Sequence, residues 1–276
     1  PPFMKMNFKN KLLAKYRENC INNESNNTSS YFLEKSLQIS DNVVMVMPKF
    51  LLNTSEYEKT RNYLESLNIY SIIDFGEKGF KGVKIETIAF TLNQRVKRNQ
   101  TKVESYITNS VEIKSQDYIT DQSFPYWLIY RNNDFDEAAN KMIFGIFKSF
   151  RDRTLTKSNT AQQGKIRVLK SRNIGDNTVI DIEGYDTYID EVSDLEVGKY
   201  LNRTECVLVP NLSYYPRACF MPQGCIADGS VAILTTSNGE QVTKENLAYY
   251  ATEEFCKFYS IARNRGTRSL NIDNNS

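Results

Sequence analysis

The chain has 276 residues, 40% of them hydrophobic and 25% charged, a formal net charge of +2 and no histidine. That length supports two modest cores. The missing imidazole excludes histidine-based serine and cysteine triads, helical zinc-protease sites and most zinc or iron centres, so no metal site is expected. The five cysteines (Cys20, Cys206, Cys219, Cys225, Cys256) are an odd number without a CxxC pair and read as reduced thiols, which points to the cytoplasm. No apolar run approaches the ~20 residues of a membrane span, so no membrane partner is expected.

In chain order, Pro1-Pro2-Phe3 is a rigid turn that, taken alone, reads as a tag remnant, a disordered end or part of a motif. Val43-Val44-Met45-Val46-Met47, closed by Pro48, has the pattern of a strand buried on both faces of a largely parallel sheet. Thr54 and Ser55 then cap a predicted helix carrying Glu56, Tyr57, Glu58, Arg61, Leu64 and Leu67. Ile69 to Phe75 and Ile85 to Leu92 read as two further strands, joined by the glycine-punctuated loop 76–82. Strand, helix, strand, loop, strand predicts the back half of an open α/β sheet. Two short motifs lack their companions: Asp74-Phe75-Gly76 has no His-Arg-Asp loop, and Glu112-Ile113-Lys114 has no convincing upstream Asp, a triplet expected about once by chance in so Glu- and Lys-rich a chain.

Pro1-Pro2-Phe3 followed by this order resembles the adenine-N6 DNA methyltransferases of restriction-modification systems, whose signature is Asn or Asp, then Pro-Pro, then Tyr or Phe. The helix Ser30 to Leu37 with its aromatics, the strand closing at Pro48, the Ile72-Ile73-Asp74-Phe75-Gly76 strand end and the strand at Glu86-Thr87 follow in the same order. The resemblance covers residues 1–92 and implies the C-terminal half of a Rossmann-like methyltransferase sheet. Residues 93–276 resemble the target-recognition region of type IIS modification enzymes, an α+β domain, with Ile166 to Ile174 as the most telling phrase.

The resemblance implies that Pro1 and Pro2 supply a fixed carbonyl acceptor for the target amine, and that Phe3 and, from the opposite face, Phe80 stack on an adenine flipped from the duplex. Plain packing is the other reading of each ring. Lys81 and Lys84 read either as phosphate contacts or as solvated lysines. Neither the residue expected before Pro1 nor a Gly-rich loop for S-adenosylmethionine is present in the sequence, and the glycine cluster 76–82 runs into a strand. The expectation is therefore the C-terminal part of a longer methyltransferase, inactive alone, with its cofactor site upstream.

Residues 93–102 are polar and basic and read as the domain boundary, with Arg95, Lys97, Arg98 and Lys102 either at a cleft or solvated. Pro125 to Tyr130 is an apolar strand or buried turn with the single tryptophan in the core. Asp134 is expected to cap a helix to about Lys148 that buries Phe135, Ala138, Ala139, Met142, Ile143 and Ile146. Residues 141–172 hold nine Lys or Arg against one acid, and residues 176–196 hold eight acids and no base, the distribution of a polyanion-binding surface beside a solvated acidic one. Arg151, Arg153, Arg167, Lys170 and Arg172 are candidate DNA contacts, with Arg172 and Asn173 suited to base edges and the rest to phosphate.

The turn Asn211 to Arg217 displays Tyr214, Tyr215 and Arg217 as a further contact tip. Glu245 to Ile261 predicts one amphipathic helix, with Arg263 and Arg265 favourably placed after its C-terminus. The first reading is a site-specific adenine-N6 DNA methyltransferase with double-stranded DNA and a separate cognate restriction endonuclease as partners. A non-catalytic DNA-specificity module is a second reading, and a methyltransferase fold acting on RNA or protein a third.

Overall fold

The computed structural model describes residues 1–97, 99–213, 215–237 and 239–266, which form two compact units. The first comprises Pro1–Arg131 and residues 261–266, the second Asn132–Ser260. The division falls at Arg131, not in the polar stretch 93–102. Two strands, one starting inside that stretch at Gln100 and one beyond it, belong to the first sheet.

The first unit opens with an extended segment, followed by α1 (Lys11–Arg17), α2 (Thr28–Ile39), β1 (Asn42–Pro48), α3 (Glu58–Glu65), β2 (Asn68–Gly76), β3 (Thr87–Asn93), β4 (Gln100–Ser105), β5 (Ser110–Ser115) and a short α4 (Gln116–Ile119). The sheet runs β1-β3-β2-β4-β5. β3 is antiparallel to both β1 and β2, while β2 and β4 are parallel. β1 is thus an edge strand in an antiparallel pair, where its apolar run predicted a parallel strand covered on both faces. Register explains what is buried: Phe90, Ile72 and Val103 form one cross-strand row with the half-buried Met45 at its edge, and Met47, Ile88, Asp74 and Ser105 the next, so a carboxylate occupies a core position. Along the opposite face runs the row Val44, Thr91, Ser71, Lys102 and Ile113, whose ends are 73% and 67% exposed.

Trp127 lies in a buried irregular segment, meeting Phe90 edge-on with ring centroids 6.1 Å apart and donating its indole N–H to Glu65 at 2.6 Å. α3 lacks the expected side-chain cap. Ser55–Tyr57 form a single 3-10 turn instead, and the Thr54 hydroxyl donates back to the Phe50 carbonyl.

In the second unit, α5 (Asn133–Ala139) is capped by Asn132, whose side chain accepts from the Phe135 N–H, and not by Asp134. The helix stops ten residues or so before the expected end because Gly145 takes φ +76° and Phe147–Phe150 form strand β6, paired with β12. Ile143 is consequently exposed. Two small sheets follow, one of β10-β9-β12-β6 and one of β11-β7-β8, built from β7 (Ile166–Leu169), β8 (Thr187–Ile189), β9 (Val207–Pro210), β10 (Cys219–Phe220), β11 (Cys225–Ala227) and β12 (Val231–Thr236). Their shared core holds Val168, Leu169, Val197, Leu208, Ile226 and Ile233. The expected single C-terminal helix is two, α6 (Lys244–Tyr249) and α7 (Glu253–Ala262), broken where the Thr252 hydroxyl accepts from the Phe255 N–H and starts a new helix. None of the described helices is long and apolar enough to cross a membrane.

Candidate functional site

The extended N-terminus is tied to the start of α2. Met6 N–H donates to Asn26, Thr28 N–H donates to the Met4 carbonyl, and the Thr28 hydroxyl donates to the Pro2 carbonyl at 2.8 Å. Thr28 is itself buried, so this anchor is firm. Phe3 is thereby held half-buried at the surface, while Pro1 and Pro2 are exposed.

Phe80 sits on the hairpin between β2 and β3. Its conformation needs two of the glycines: Gly76 at φ +53°, and Gly79, where a Cβ would fall 2.1 Å from the Thr87 hydroxyl oxygen. The Phe80 ring is 44% exposed and meets Phe3 edge-on, centroids 6.1 Å apart and planes at 72°. The structure therefore brings together the two rings singled out in the sequence. A planar base between them would need roughly 7 Å, twice the carbon–carbon contact distance of about 3.5 Å, so insertion calls for a separation of about 1 Å and rotation of one ring. Lys81 and Lys84 are exposed on the same hairpin.

Beneath the hairpin lies a polar cluster that sequence reasoning missed. Lys49 Nζ stands 2.6 Å from Asp74 Oδ2 and 3.7 Å from Glu86 Oε1, with the Lys49 and Asp74 side chains almost wholly buried. Tyr130 donates to Asp74 Oδ2 at 2.6 Å and pairs with the Ser105 hydroxyl at 2.6 Å. Burial first, then the Asp74 charge, pushes the Tyr130 phenol well above its ordinary pKa, so it remains a donor. The available signal was a lysine directly after the proline that ends an apolar strand, and an aspartate in phase with the core.

The glycine loop 76–82 joins two antiparallel strands, so no helix N-terminus follows it to receive a cofactor's anionic group.

In the second unit the candidate DNA contacts separate into two groups. Asn173 is fully buried and its amide is consumed by Ile180, Asp186 and the Lys170 N–H, which corrects its assignment as a base reader. Arg167 is bound by Asp181 and Asp186, the latter at 2.7 Å, and by the Ile180 carbonyl. The acidic segment thus folds onto the basic strand and neutralises part of it, where a separate solvated face was expected. Lys170 also bonds the Tyr185 carbonyl, and Lys170 and Arg172 both lie over the Tyr185 ring, at 4.1 and 4.8 Å. Arg172 and Arg153 are exposed, and Arg151 is half-buried.

Tyr214 lies outside the described residues. Tyr215 is 72% exposed and Arg217 half-buried, and both line a cavity of about 590 Å³ whose wall includes Phe144, Tyr250, Phe255 and Phe258. Arg263 and Arg265 fall in the first unit, not with the other candidate contacts, and Arg265 lies 5.4 Å from the Tyr130 ring. Burial raises the Cys206 thiol to about 11 and Cys219 to about 12, and burial with the Glu34 charge raises Cys20 to about 11, each away from the thiolate form.

Comparison with known proteins gives no match among curated proteins. Among solved structures, the chain is similar to the type IIG restriction endonuclease BpuSI (11% identity, 91% of this chain and 42% of that one, TM-score 0.41). It is also similar to the type IIL restriction-modification enzyme MmeI in complex with DNA (9%, 80% and 37%, TM-score 0.47) and to a DrdV–DNA complex (9%, 91% and 36%, TM-score 0.42). The chain spans less than half the length of each. Residues 1–80, which hold Phe3, Phe80, Lys49 and Asp74, match the family described as Eco57I restriction-modification methylase.

Proposed function

We propose that this chain is part of an S-adenosylmethionine-dependent adenine-N6 DNA methyltransferase of a type IIS-like restriction-modification system, working in the cytoplasm on double-stranded DNA beside a cognate endonuclease. The first unit would supply the C-terminal half of a Rossmann-like catalytic sheet and the second unit the target-recognition domain. The observation that carries this reading is the contact of Phe3 with Phe80 on the exposed surface of a segment matched to a restriction-modification methylase family.

The chemistry asked of these residues is positional. An exocyclic amine shares its lone pair with the purine ring and becomes nucleophilic only when acceptors draw its N–H bonds out of plane. Thr28 already donates to the Pro2 carbonyl, which makes the carbonyl of Pro1 the freer acceptor on this turn. Phe3 and Phe80 replace the stacking that the extruded base loses, an interaction of about 1–3 kcal/mol per base. Arg153, Arg172 and Tyr215, exposed on the second unit, and Arg265, exposed on the first, contact the DNA in this reading, with Arg151, Lys170, Arg217 and Arg263 as less exposed candidates.

The test is nucleoside mass spectrometry of duplex DNA incubated with the full-length protein and S-adenosylmethionine. N6-methyladenine is the expected product. Methylated cytosine, or unmodified DNA from a folded full-length protein that methylates RNA or protein instead, would refute the assignment.

A further inference from the structure

Both stems of the hairpin that carries Phe80 end on the same buried ion pair. At the β2 stem, Asp74 Oδ1 accepts the Gly76 N–H at 2.9 Å, fixing the residue at which the chain leaves the sheet. At the β3 stem, the Lys49 backbone N–H donates to the Glu86 carbonyl at 2.9 Å, and the Lys49 ammonium reaches the Glu86 carboxylate. Lys49 Nζ and Asp74 Oδ2 then close the ring between the stems at 2.6 Å, as an ionic contact more than an aligned hydrogen bond. Tyr130 donates to the same carboxylate oxygen, and the Ser105 hydroxyl in turn pairs with the Tyr130 hydroxyl.

A core of apolar side chains would stabilise this end of the sheet at least as well, since isolating a charged pair from water largely cancels its attraction. What the pair adds is direction. The backbone ladder already spaces the stems up to the Gly76–Thr87 pairing, and the Lys49 ammonium ties the residues at that point, Asp74 and Glu86, to the end of β1 where the hairpin leaves the sheet.

We propose that the Lys49–Asp74 pair, with Tyr130, is a positioning device that holds the Phe80 ring opposite Phe3. Its value for stacking a flipped base rests on the proposed methyltransferase function, but the ring placement itself does not. None of these three side chains touches the base in this proposal. They act through the hairpin.

The experiment uses the full-length protein with 4-fluorophenylalanine at position 80, read by fluorine NMR with and without the F3L substitution. In the parent, F3L is expected to move the position-80 resonance, because the two rings touch. In K49M/D74N, which removes both charges together and keeps an acceptor for the Gly76 N–H, that response is expected to disappear while the thermal melt stays cooperative. Y130F keeps its ring and removes only the hydroxyl, a smaller change than the double variant, and is expected to weaken the response. If the methyltransferase reading holds, K49M/D74N also loses about a hundredfold in kcat with KM for DNA little changed, the effect of misplacing a group by about 1 Å.

A parent that ignores F3L, or a full response in folded K49M/D74N and in Y130F, overturns the proposal. Should K49M/D74N fail to fold, Y130F decides alone: an undiminished response rejects the device and a weakened one supports it. Loss of the response in the variants of a protein that methylates no DNA leaves the device standing and removes only the functional reading.

Discussion

Asn264 shows how much one side chain fixes. It is fully buried at φ +48°, a conformation asparagine tolerates better than most residues. Its amide donates to Asn53 and to the Trp127 carbonyl, and its oxygen accepts the Ile129 N–H. N264A is therefore expected to lower unfolding free energy by about 3 kcal/mol or more, since three buried partners lose their bonds, whereas an exposed asparagine would cost almost nothing. Urea titration of parent and variant checks this. Asp121 gives a pH-dependent counterpart. Partial burial raises its pKa, but hydrogen bonds from Ser123 and Arg131 outweigh that and hold it below the ordinary carboxylate value. A depressed folded pKa stabilises the protein above the unfolded value of about 3.9 and loses that stabilisation as pH falls through the folded value. D121N should be less stable than the parent at pH 7, by under about 1 kcal/mol because the carboxylate is one-third exposed, and the two melts should converge as pH falls through the depressed folded value.

At the scale of elements, apolar runs located β1, β2 and β3 within a residue or two, because burial is written in residue type. Strand direction was not legible: a buried run looks the same in either sense, and only the hairpin through Gly76 and Gly79 turns β3 antiparallel. β4 was passed over as a linker because Lys102 and Glu104 hide the inward alternation of Thr101, Val103 and Ser105. Helix α5 was overextended because Met142 and Ile143 continue its apolar period past Ala139 into a turn. Its start makes a test. N132A is expected to cost about 1 kcal/mol through loss of the N-cap, and D134A a few tenths at most. Equal losses in thermal denaturation would return the cap to Asp134.

For the whole molecule, the pairing of Phe3 with Phe80 was legible only through resemblance, since no local pattern links an N-terminal turn to a distant hairpin. Clustering of Lys and Arg along the sequence was a weaker guide: the fold commits Arg167 and Asn173 to internal partners and leaves Arg172 and Arg153 exposed. The central claim is that the two rings act on one base. A double-mutant cycle on the methyl-transfer rate of the full-length protein, with F3A, F80A and F3A/F80A, tests it most directly. Each single change is expected to slow transfer by about 1–3 kcal/mol with little change in melting temperature, and the double variant to lose less than the two losses multiplied. Losses that simply multiply, or an F80A rate equal to the parent's, would contradict the account.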